Sequence, residues 1–154
     1  MSDVLSTIHA PQDVRALATA QLPELAEEVR RLILETVSKT GGHLASNLGA
    51  VELTIALLRV FSPPEDKVLW DVGHQTYTWK LLTGRRDRFH TLRQRNGISG
   101  FPKPEESPCD VLVEGHAGTA LSAALGMAAG RDRRGGAEHV VAVIGDGSMT
   151  NGLS

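Results

Sequence analysis

A chain of 154 residues with 41% hydrophobic and 22% charged side chains is large enough for one ordinary domain with its own core. Its net charge of -2, with acids and bases mixed along the chain, leaves no basic footprint and excludes a nucleic-acid partner from the expectations. The single cysteine, Cys109, excludes an internal disulfide. No apolar run approaches the roughly 18 residues of a membrane helix, and the first residues lack a basic segment leading into an apolar one, so a cytoplasmic chain with no membrane contact is expected.

Taken in chain order, Pro23-Glu24 opens a helix with Leu25, Val29, Leu32, Ile33 and Val37 at helical spacing, Lys39 near its end and Gly41-Gly42 after it. Residues 1–22 form an N-terminal extension ahead of it. Asn47 or Ser46 is placed to cap a second helix through Leu48, Val51, Leu53, Ile55, Leu57 and Leu58, which Ser62-Pro63-Pro64 terminates. Lys67-Val68-Leu69-Trp70 reads as a short strand ending in Asp71-Val72-Gly73-His74, with a helix following through Tyr77, Trp79, Leu81 and Leu82. After a Gly- and Pro-containing connection, Val111-Leu112-Val113 reads as another strand, leading through Glu114-Gly115-His116-Ala117-Gly118-Thr119 into an alanine-rich helix from about Ala120 to Ala129. A last strand, His139 to Ile144, breaks into Gly145-Asp146-Gly147-Ser148-Met149-Thr150-Asn151-Gly152. The alternation predicts an α/β fold, a parallel sheet with helices on both faces, within one domain over residues 1–154.

In open α/β sheets, ligands gather at the carboxyl ends of strands, and each expected strand here releases a loop with glycine and a polar group. An isolated histidine such as His74 or His116 is more often a structural, hydrogen-bonded residue, and a Gly-Asp-Gly turn occurs wherever a tight turn is needed. Repetition at the same place in successive units favours function for Gly73-His74, Gly115-His116 and Gly145-Asp146-Gly147. Glycines on either side of Asp146 let the backbone approach a ligand, and its carboxylate is a hard oxygen donor for a divalent cation, a pairing that suits a metal-bridged diphosphate. The spacing Gly145-x-Gly147-x-x-x-x-Gly152 misses the dinucleotide fingerprint, and no Gly-Lys-Ser or Gly-Lys-Thr follows a glycine loop.

Four motifs carry a resemblance: Gly42-His43-Leu44-Ala45-Ser46-Asn47-Leu48-Gly49; Asp71-Val72-Gly73-His74-Gln75 with Lys80-Leu81-Leu82-Thr83-Gly84-Arg85-Arg86-Asp87; Ile98-Ser99-Gly100-Phe101-Pro102-Lys103; and Gly145-Asp146-Gly147. In this order, from about Leu22 onward, they resemble the N-terminal part of the 1-deoxy-D-xylulose-5-phosphate synthases. These are transketolase-like transferases that use thiamine diphosphate and Mg²⁺.

The resemblance implies condensation of pyruvate with glyceraldehyde 3-phosphate with loss of carbon dioxide, in non-mevalonate isoprenoid and thiamine biosynthesis, by an enzyme that is a homodimer at full length. It implies that Asp146 ligates Mg²⁺, that Gly147 and Ser148 hold the diphosphate, that His74, Gly115, His116 and Ala117 line the cofactor, and that His43 and His74 are catalytic. The usual Gly-His-Ser-Ser-Thr reads Gly115-His116-Ala117-Gly118-Thr119, so side-chain contacts of two hydroxyls are lost there, and Asn151 needs room where a small residue is common. The family's second metal ligand and its second domain fall beyond Ser154. The expectation is therefore a C-terminally truncated thiamine-diphosphate-binding (pyrophosphate) domain that alone neither binds cofactor tightly nor turns over, with its last strand uncovered and prone to association. The alternatives are the cofactor half of a split transketolase-like enzyme and a non-catalytic relic domain.

Overall fold

The computed structural model describes residues 3–152, and they gather into two compact units. The first comprises residues up to Ser62 together with His74–Gly100 and is almost entirely helical. Helix α1 (Pro11–Ala16) starts on a proline, whose missing N–H is one the first turn would leave unpaired anyway. The Asp13 carboxylate accepts the N–H groups of His9 and Ala10 and closes that end. Helix α2 (Leu22–Thr40) buries Leu25, Ala26, Val29, Ile33 and Thr36 along one stripe and stops at Gly41, whose φ of 72° ends the helix without a side-chain clash. The stretch ahead of it is tied in: the Glu28 carboxylate accepts the N–H of Leu5 at 2.7 Å, Arg86 donates to the Leu5 carbonyl at 2.6 Å, and Val4, Leu5, Ile8 and Val14 are buried.

The expected second helix is divided. A four-residue turn α3 (Ala45–Leu48) is followed at Gly49-Ala50 by α4 (Val51–Val60). Asn47 lies inside α3, not at a cap, because its side chain bonds to main-chain groups outside the helix. Helix α5 (Tyr77–Lys80) is buried at every position and runs on through a wide turn, Leu81–Arg85, that opens at Gly84 with φ 89°.

The second unit, Pro63–Gly73 with residues from Phe101 onward, holds the sheet. Strand β1 (Lys67–Trp70) pairs in parallel with β2 (Val140–Val143), in register from Lys67 opposite Val140 to Trp70 opposite Val143. Between them runs α6 (Thr119–Arg134), capped at its far end by Gly135 with φ 69°. Its Ala120 and Ala124 pack on Leu69, with Val111, Leu112, Ala123, Met127, Val140 and Ala142 around them. Small side chains on this face let the helix lie close to the strands. This is the expected α/β arrangement with a parallel sheet. Val111-Leu112-Val113, read above as a strand, pairs with no strand among the described residues: Asp110 just before it is held by its carboxylate on the Lys103 N–H, and Val113 stays 63% exposed. Cys109 is buried and forms no disulfide among the described residues.

Candidate functional site

Within the first unit, the two histidines named from sequence come together. The rings of His43 and His74 sit 5.3 Å apart between centroids, edge to face at 70°. His43 follows the glycine pair that ends α2, and His74 precedes α5, so each is placed by a helix boundary. Burial, with the neighbouring His43 adding to it, pushes the His74 imidazole below the usual histidine range, favouring the neutral ring. Its Nδ1 is buried and meets no partner among the described residues, so its hydrogen-bonding capacity is not used within the fold.

Around this pair lie two groups that carried no functional reading in the sequence. Asn47 donates to the His43 carbonyl at 2.6 Å and to the His74 carbonyl at 2.8 Å, and accepts the Tyr77 N–H at 2.8 Å. The Tyr77 hydroxyl accepts the His43 N–H at 3.2 Å. A Cβ on Gly42 would meet that hydroxyl at 2.6 Å, so the glycine is required by the approach of the phenol.

Within the second unit the loops after β1, before α6 and after β2 are joined through one carboxylate. Asp71, 1% exposed, accepts the N–H of Gly118 at 2.9 Å and of Ala120 at 3.2 Å. Burial raises its pKa, but hydrogen bonds from the Ser148 hydroxyl and from the N–H groups of Gly118, Ala120 and Thr119 outweigh that and hold it below the usual carboxylate range. An anion thus sits at the amino end of α6, where the unpaired N–H groups and the helix dipole favour it. Val72 and Gly73, the next residues, both have positive φ, 61° and 80°. A β-branched residue in that region is strained, so the turn after β1 is held by its surroundings.

Glu114 lies close by with the opposite tendency. Burial raises its pKa, a hydrogen bond from Thr119 partly offsets this, and the Asp71 charge raises it further. Its Oε2 accepts the Thr119 hydroxyl at 2.7 Å, and its Oε1 is buried with no partner among the described residues. Asp71 and Glu114 are two nearby carboxyls with their pKa values driven apart.

Gly115, His116 and Ala117 precede α6, and Gly118 takes φ 86°, a conformation that costs glycine nothing and a serine strain. Asn151 finds room beside this loop: it donates to the Ala117 carbonyl at 2.9 Å. Asp146, Gly147 and Ser148 fall in a short 3-10 turn, Asp146–Thr150, with Asp146 exposed. Five residues build little aligned dipole, so the turn offers an anion its local N–H groups and the open space beside the glycines. A Cβ on Gly115, Gly145 or Gly147 would touch nothing within 4 Å.

The residues fit a diphosphate with its metal ion. No group of three or more His, Cys, Asp or Glu side chains among the described residues forms a closed metal cage. A single exposed carboxylate next to open glycine backbone matches magnesium, which is usually bound through one or two carboxylates plus phosphate oxygens and water. Asp71, Glu114, Asn47 and Tyr77 were missed as site residues from sequence. The available signal was position: Asp71 directly follows a strand and stands two residues before Gly73-His74, and Glu114 precedes Gly115-His116.

Comparison with known proteins agrees with the motifs. A family model described as 1-deoxy-D-xylulose-5-phosphate synthase matches residues 5–154, reaching nearer the N-terminus than the motifs do. In Geobacter sulfurreducens, 1-deoxy-D-xylulose-5-phosphate synthase 1 and 1-deoxy-D-xylulose-5-phosphate synthase 2 are 62% and 60% identical over 154 residues, covering all of this chain and 24% and 25% of their own lengths. The 1-deoxy-D-xylulose-5-phosphate synthase of Syntrophomonas wolfei is 55% identical over the same 154 residues, 24% of its length. The chain spans about a quarter of the length of the curated relatives it matches. A match over nearly every residue at such identity leaves one assignment: the chain belongs to the 1-deoxy-D-xylulose-5-phosphate synthase family.

Proposed function

We propose that this chain carries the diphosphate-holding loops and the histidine pair of a cytoplasmic, homodimeric transferase that joins pyruvate to glyceraldehyde 3-phosphate with loss of carbon dioxide. Its product, 1-deoxy-D-xylulose 5-phosphate, feeds isoprenoid and thiamine synthesis. The observation that carries this reading is an exposed Asp146 on an open glycine turn, within a chain that matches the family from residue 5 to residue 154.

Thiamine diphosphate, when bound, supplies the electron sink for decarboxylation. In the second unit, Asp146 would give Mg²⁺ a carboxylate oxygen, and Gly147 would present backbone to the diphosphate. Ser148 has its hydroxyl committed to Asp71, so its part is to hold the turn in shape and to offer main chain to the phosphates. Gly115, His116 and Ala117 would line the cofactor with backbone and one imidazole. In the first unit, His74, biased toward its neutral form, would donate a hydrogen bond or accept a proton at a reacting oxygen, with His43 as its neighbour.

The test uses the complete protein containing these residues, supplied with thiamine diphosphate, Mg²⁺ and pyruvate labelled at its carboxyl carbon. Labelled carbon dioxide should be released when glyceraldehyde 3-phosphate is present, with 1-deoxyxylulose 5-phosphate as product. Two-carbon transfer between sugar phosphates with no release from pyruvate would overturn the reading.

A further inference from the structure

We infer that Asn47, with the Tyr77 hydroxyl, positions the His43–His74 pair, making its side-chain amide a positioning residue for the proton transfers of those two histidines. The inference rests on the function proposed above for its catalytic consequence, and on geometry alone for the positioning.

Asn47 is 0% exposed, and asparagine is a poor choice for the interior of a helix, where its amide competes with the backbone. Burying an amide without partners is costly. Here the cost is offset in a telling way: the amide nitrogen donates to the main-chain carbonyls of His43 and His74, and the amide oxygen accepts the Tyr77 N–H. One rigid planar group therefore fixes the backbone of both histidines and the start of α5. Tyr77 adds a second tie. It is fully buried, its ring is set edge-on to Phe89 at 6.1 Å, and its hydroxyl accepts the N–H of His43. A small apolar residue would serve α3 equally well as a helix former. What it would not do is hold two imidazole-bearing segments, separated along the chain by α4 and β1, at one spacing.

The experiment is performed on the complete protein with its histidine rings followed by NMR. In the native protein, a ring-to-ring Overhauser contact should join His43 and His74, and replacing His43 with alanine should move the His74 titration upward. Asn47→Asp keeps the size and an acceptor for Tyr77 but removes both donors. It should abolish the ring contact, move His74 toward an ordinary titration, and lower kcat by about tenfold or more while KM for pyruvate changes far less. Tyr77→Phe, which removes only the hydroxyl, should weaken the ring contact with the fold kept, and it decides the matter if the Asn47 variant does not fold. Thr54→Val removes another buried hydrogen bond of the same unit, to the Ala50 carbonyl at 2.7 Å, and should leave the ring contact and the titration as they were. An unchanged ring contact and unchanged His74 titration in Tyr77→Phe and in any folded Asn47→Asp protein would overturn the inference. A protein that lacks pyruvate chemistry but loses the ring contact in these variants would instead overturn the proposed function and leave the positioning standing.

Discussion

Asp71 and Glu114 make opposite contributions to stability as pH changes, because one folded-state pKa is depressed and the other raised. For Asp71 the stabilisation is present above the unfolded value of about 3.9 and is lost as pH falls through the folded value. For Glu114 the stabilisation is complete below the unfolded value of about 4.3 and is lost as pH rises through the folded value. Asp71→Asn should therefore destabilise by about 2–3 kcal/mol at pH 7, where a charged acceptor of several buried N–H groups is lost, and by less near pH 3. Glu114→Gln should behave inversely, gaining on the parent as pH rises from 4 to 7. Urea unfolding of the three proteins across that range checks both signs. The glycines of the turn after β2 give a sharper separation of fold from the proposed function. Gly147→Ala meets open space, so stability should hold or rise by up to about 1 kcal/mol, whereas thiamine diphosphate should bind more weakly. A thermal melt and a cofactor titration on the same sample read the two effects apart.

At the scale of elements, the turn after β1 is the most constrained feature. Gly73 combines φ 80° with a backbone so close to Pro102 that a Cβ would overlap the proline ring. Gly73→Ala should cost roughly 2–4 kcal/mol, the sum of left-handed strain and overpacking, and should lower the urea midpoint without changing the slope. Helix α2 was legible in the sequence at both ends, since proline, an apolar stripe and a glycine pair all agreed. The strands β1 and β2 and the helix α6 were legible for the same reason, though α6 runs to Arg134, past the alanine-rich stretch that marked it. Val111-Leu112-Val113 was misread because a short apolar run specifies a strand only when a neighbour is there to pair with it. The break between α3 and α4 was hidden because Asn47 looks like a cap, yet bonds to His43, His74 and Tyr77, partners that only tertiary structure brings near. Asp71 was quoted within a motif but not understood, since its partners Gly118 and Ala120 lie far along the chain.

At the scale of the whole molecule, the family match covers residues 5–154, and the described residues divide between a helical unit bearing His43 and His74 and an α/β unit bearing Asp71, Glu114 and Asp146. Among the described residues no helix is long and apolar enough to cross a membrane. Each unit contributes a different kind of chemistry: an imidazole pair in which His74 is biased toward neutrality, and a glycine turn with one exposed carboxylate braced from behind by a buried one. The central claim is that this turn holds a magnesium diphosphate. Calorimetric titration of thiamine diphosphate into the complete protein, with and without Mg²⁺, tests it most directly when repeated on Asp146→Ala. The account predicts saturable binding that needs Mg²⁺ and weakens by about tenfold or more in the variant, the loss expected for one charged ligand. Equal affinity in the two proteins, or binding indifferent to Mg²⁺, would contradict it.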